Sequence, residues 1–159
     1  MDVSYLLPKD YLSGPYPAIR KEIINFKQTN VPEYAGLYAC ILDNVLTASE
    51  CSQLIKAAEA RTNGKWEQAM INVGGNQQRI MTDVRTCGRI MWDDRDIVSK
   101  IWARCEPLVP EIHKLNNQPK VTETRLVAQG HKYELTRLNE RMRFLKYEKG
   151  SYFRREPHT

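Results

Sequence analysis

No run of 18 apolar residues occurs in this chain of 159, so no membrane-spanning helix is expected. Its start, Met1-Asp2-Val3-Ser4-Tyr5, lacks the basic residues and apolar stretch of a secretory signal. The four cysteines, Cys40, Cys51, Cys87 and Cys105, are widely spaced and form no C-x-x-C. That spacing argues against zinc and for reduced, mostly buried thiols in a cytoplasmic or nuclear protein. There is no G-x-S-x-G, no phosphate-cradling glycine loop and no H-E-x-x-H. Internal repeats and low-complexity tracts are absent too. Without an aromatic-interleaved RNA-binding motif or a helix-turn-helix pattern, nucleic acid is not an expected partner. Histidine is scarce, at three residues. His113 precedes Lys114-Leu115 and His131 precedes Lys132-Tyr133, so neither forms H-x-D or H-x-E.

The residues that are present suit a globular protein. Apolar residues make up 42% and charged residues 27%. The length allows one domain with a real core. Charge is distributed unevenly. Residues 1–119 hold 14 Lys/Arg and 14 Asp/Glu, whereas 120–159 hold 10 and 5. The basic quarter reads as a solvated strand face, or as a surface for an acidic partner.

Residues 1–14 read as a loosely held arm. Pro15 or Pro17 opens a helix, with Ile19, Ile23 and Phe26 on one face, closing near Gln28. Residues 36–42 form a short apolar run that reads as a strand. Thr47-Ala48-Ser49-Glu50 has capping-box spacing. The helix behind it sets Cys51, Leu54, Ile55 and Ala58 on one stripe and closes at Asn63-Gly64. A helix dipole acts on Cys51, but its place in that stripe argues for burial. Residues 66–73 read as a strand and 79–87 as another extended piece. Trp92-Asp93-Asp94 offers N-caps to a helix that buries Ile97, Ile101, Trp102 and Cys105. Pro107 and Pro110 interrupt it. Trp66, Trp92 and Trp102 read as core anchors. No sustained period runs through 121–138.

The most legible stretch is 139–158. Met142 and Phe144 share one side of a strand; Arg141, Arg143 and Leu145 share the other. Glu148-Lys149-Gly150-Ser151 reads as a tight turn, with Gly150 free to take positive φ. Tyr152-Phe153 starts a second strand. Arg143-Phe144-Leu145-Lys146-Tyr147 followed by Gly150-Ser151-Tyr152-Phe153 resembles the entry to the catalytic core of the 2-oxoglutarate/Fe(II) dioxygenases, prolyl 4-hydroxylase-like branch. The strand and capped helix over 36–58, and the loose series Trp66, Gly74, Arg79, fit the same resemblance less distinctively.

The resemblance implies an α+β chain, with N-terminal helices and the first strands of a double-stranded β-helix (jelly roll), the barrel incomplete. It divides the chain into an arm and helix over 1–34 and the N-terminal part of a dioxygenase domain over 35–159. It implies Fe(II), 2-oxoglutarate and ascorbate as cofactors, and a peptide or protein substrate hydroxylated on a prolyl or similar side chain. Tyr147 matches a residue that lines the cosubstrate pocket; the structural alternative is an aromatic packed across a strand pair. The family's metal site needs H-x-D, then a distant His and a basic residue. Here Phe153 is followed by Arg154-Arg155-Glu156-Pro157-His158-Thr159. His158 stands two residues late, as a displaced remnant or a terminal residue without a role. The expectation is therefore a truncated, inactive chain that binds none of these cofactors stably. An incomplete barrel also leaves the 143–147 edge open to self-association.

Overall fold

A computed structural model describes residues 6–75, 77–116, 118–119 and 128–154. Expectations for His158, and for the 121–127 part of the segment 121–138, lie outside the described residues. The described residues are α+β, with two α-helices of described extent and several small antiparallel sheets. No closed barrel forms among the described residues. Two compact units account for the packing. One contains the described residues of 12–47 and 96–139, the other those of 1–11, 48–95 and 140–154.

In the first of these units, β1 (Arg20–Ile23) pairs antiparallel with β2 (Cys40–Asp43), in register from Arg20↔Asp43 to Ile23↔Cys40. This corrects the helix expected over 15–28. Three apolar residues on one face of a helix of about three to four turns are too few to hold it. The same residues gain a full ladder from β2 instead, and the Arg20 guanidinium bonds Asp43 across it at 3.0 Å. A single 3₁₀ turn, Phe26–Gln28, is the helical remnant. The strand expected over 36–42 is confined to β2.

The long helix of this unit, α2, runs Arg95–Cys105. Ile97, Val98 and Trp102 are buried along it, as is Arg104. Pro107 and Pro110 end it as expected, each opening a 3₁₀ turn (Glu106–Leu108 and Pro110–Ile112). Glu111 ties these turns to the β1–β2 ribbon. It pairs with Lys21 and accepts a hydrogen bond from the Tyr38 hydroxyl at 3.1 Å.

In the second unit, α1 spans Ala48–Arg61, starting directly after Thr47. It closes at Asn63 and Gly64, both at positive φ. Its buried face is Leu54, Ala57 and Ala58. That corrects the expected stripe: Cys51 is exposed and Ile55 is 47% exposed. Both sets have helical spacing, so periodicity alone does not choose between them. The neighbour does, and α1 lies against the sheet with Arg61 stacked 4.0 Å over the Trp92 ring. The thiols also depart from expectation. Cys87 alone is buried, Cys40 and Cys105 are partly so, and burial pushes the Cys105 thiol up.

The sheet has the order β3-β6-β7, from β3 (Glu67–Gln68), β6 (Gly88–Asp93) and β7 (Arg141–Lys146). A separate ribbon joins β4 (Ile71–Asn72) to β5 (Gln78–Arg79) through Gly74-Gly75. The strand expected over 66–73 is thus two short pieces, and the one over 79–87 is mostly turn. β6 is the central strand, at residues read from sequence as a helix cap. Gly88 is required there: a Cβ would lie 2.9 Å from the Trp66 Cβ. β7 and the turn after it match the sequence reading. Register Ile90↔Phe144 and Trp92↔Met142 sets those four on one face, and Trp92 stacks on Phe144. Gly150 takes φ 88°, and Ser151 N–H donates to the Glu148 carbonyl at 2.9 Å. Phe153 returns as a single bridge to Arg85.

Candidate functional site: an arginine-lined cleft

The other face of β6 and β7 carries Arg89, Met91 and Asp93 opposite Leu145, Arg143 and Arg141. Alternation dictates this, because setting Ile90 and Phe144 on one face sets their chain neighbours on the other. Arg89, Arg143 and Leu145 line a cleft of about 750 Å³. Ile71, Asn72 and Gln78 from the β4–β5 ribbon form one wall. Arg85, Phe153 and Arg154, brought together by the bridge after the Gly150 turn, form another. Among the described residues, no carboxylate lines the cleft.

The four guanidiniums are held differently. Arg89 is 8% exposed and clamped, its Nε donating to Glu67 Oε1 at 2.7 Å and its Nη1 to Gln78 Oε1 at 3.1 Å. Arg85 donates from Nε to Cys87 Sγ at 3.1 Å and lies 4.8 Å from the Phe153 ring centre. Its partial burial works against the charge, and the Cys87 and Tyr147 contacts outweigh that, raising its pKa. Arg154 lies 4.4 Å over the Tyr152 ring. Arg143 is exposed at the cleft. Among the described residues, Arg85, Arg143 and Arg154 have no carboxylate within salt-bridge distance. Arg141, at the far end of β7, is paired, bonding both oxygens of Asp93 at 2.7 Å.

The Asp93–Arg141 pair gives a pH-dependent contribution. Its hydrogen bonds hold the Asp93 carboxyl below its ordinary value, and the charge of Arg143 adds to this. A lowered folded pKa means stability that is complete above the unfolded value of about 3.9 and lost as pH falls through the folded one. Thermal midpoints of the wild type and Asp93→Asn are expected to differ at neutral pH and to converge in acid. A gap independent of pH would show that the carboxylate charge contributes nothing.

Tyr147 is 47% exposed and does not line the cleft. It stands one residue past β7, near enough to Arg85, which does line the cleft, to help raise that guanidinium's pKa. The described residues do not fit an iron ion. His113 Nε2 lies 3.0 Å from the Glu106 carbonyl, and His131 packs beside Tyr133. Both histidines belong to the other compact unit. Among the described residues, no group of three His, Cys, Asp or Glu side chains converges. Sequence reasoning placed Arg143 on a solvated strand face and overlooked Arg85 and Arg89. Reading 88–93 as a strand would have set Arg89 on the same face as Asp93; no local signal marks Arg85, which is placed by its bridge to Phe153.

No known protein family, curated protein or solved structure matches the chain. No helix among the described residues is long and apolar enough to cross a membrane.

Proposed function

We propose that these residues form the N-terminal portion of a prolyl 4-hydroxylase-like 2-oxoglutarate/Fe(II) dioxygenase core, the first strands of a jelly roll. One observation carries this reading. The stretch that resembles the family folds as a strand, a tight turn and a return held by a single bridge at Phe153, and the outward face of the strand opens onto a cleft rather than packing into a core. Tyr147 follows β7 by one residue and acts on Arg85, which lines that cleft, in keeping with a role beside a cosubstrate carboxylate. The metal ligands are not among these residues, so no catalytic step is assigned to them. Purified 1–159 supplied with Fe(II), ascorbate and 2-oxoglutarate is expected to release no succinate above a blank; measurable decarboxylation would overturn the assignment of the ligands elsewhere. The parentage is tested by the coding sequence after codon 159. An open frame there with H-x-D, then a second His and a basic residue, supports it. A frame lacking them overturns it.

A second reading is a non-catalytic module that uses the basic segment 120–155 to hold an acidic partner. The observation favouring it is that Arg143 and Arg154, both from that segment, meet Arg85 and Arg89 at one cleft.

A further inference from the structure

We infer that the arginine-lined cleft is a docking site for an acidic peptide segment carrying interspersed apolar side chains. The inference deepens the second reading and needs no iron chemistry.

Charge comes first. Among the described residues, three guanidiniums without carboxylate partners face one cleft with a fourth, and no acidic side chain lines it. Like charges gathered around a concave, low-dielectric wall repel one another and focus a positive potential into it. An anion in the cleft relieves that repulsion. Guanidinium forks match carboxylates bidentately.

Shape and lining narrow the class. A single small dianion would occupy a fraction of about 750 Å³. Besides the arginines the lining is mostly apolar, with Met70, Ile71, Val84, Leu145 and Phe153 beside Asn72 and Gln78. That mixture of cation and hydrocarbon complements a peptide that carries both carboxylates and aliphatic residues. A nucleic acid strand calls for a lengthwise cationic groove with several free rings for stacking. Here Phe153 is the one ring on the lining, and Arg85 already stacks on it. Arg89 is the fixed post of the site, because Glu67 and Gln78 hold it. Arg143 and Arg154 are exposed and free to close on the ligand.

Fluorescence anisotropy on the full chain tests this. The probe is a short fluorescein-labelled peptide of glutamate, aspartate and leucine; the controls are its Gln/Asn counterpart and an oligothymidylate. Saturable binding of the acidic peptide alone is expected, weakening as salt rises. Arg143→Glu and Arg154→Glu are each expected to weaken it roughly tenfold or more. Lys56→Glu, the same charge reversal on the exposed side of α1, is expected to leave it within about twofold. Equal losses for Lys56→Glu and Arg143→Glu would reduce the effect to net charge and overturn the site. Binding of the oligonucleotide alone would overturn the peptide and keep the acidic-partner reading. Binding of neither probe would overturn both.

Discussion

Ile90→Ala is expected to destabilise the protein by about 2–5 kcal/mol, the range for truncating a fully buried aliphatic side chain. Ile90 is 1% exposed at the centre of the three-stranded sheet and faces Phe144 across the β6–β7 ladder. Removing its outer carbons leaves a cavity that rigid backbone on both sides cannot close. Ile55→Ala makes the contrast. Ile55 belongs to the stripe that the sequence puts inside, yet it is 47% exposed on α1. Its truncation is expected to change stability by no more than about 0.5 kcal/mol. Urea midpoints at a constant slope compare the two. An Ile55→Ala loss equal to that of Ile90→Ala would return the helix to its expected face.

Replacing Arg104 by Met is expected to cost about 1–3 kcal/mol, although it removes a buried charge and keeps much of the volume. Arg104 is 5% exposed on α2, in the other compact unit. Its guanidinium donates to the Val45 carbonyl at 2.8 Å and to the Leu12 carbonyl at 3.0 Å, and it stacks 4.2 Å from the Tyr16 ring. Met leaves both carbonyls without that donor. Arg104→Lys is expected to recover part of the loss at most, because one ammonium cannot reproduce a planar fork. Arg95→Met, an exposed position on the same helix, is expected to be near neutral. Thermal denaturation of the three variants checks the order, and a neutral Arg104→Met would show that the two carbonyls find water instead.

Some of this architecture was legible in the sequence. Strand β7 and the turn after it followed from strict alternation and a glycine at the position that needs positive φ. Helix α1 was located by Thr47 and by helical spacing, and the end of α2 by two prolines. These signals are local: they fix backbone dihedrals and a period of two or 3.6, and neighbours in the chain carry them. Tertiary structure decided the rest. Residues 20–23 became a strand because β2 offered a ladder that no local signal announces. The covered face of α1 depended on where β6 lies, since two stripes one residue apart have equal periodicity. Gly88–Asp93 became the central strand because partners on both sides complete its hydrogen bonds, while its mixed Arg, Met and Trp sequence gave no clean pattern. No local signal assembles the cleft. Arg85 and Arg89 are separated from Arg143 and Arg154 by more than fifty residues, and only the β6–β7 register and the bridge from Arg85 to Phe153 bring them together.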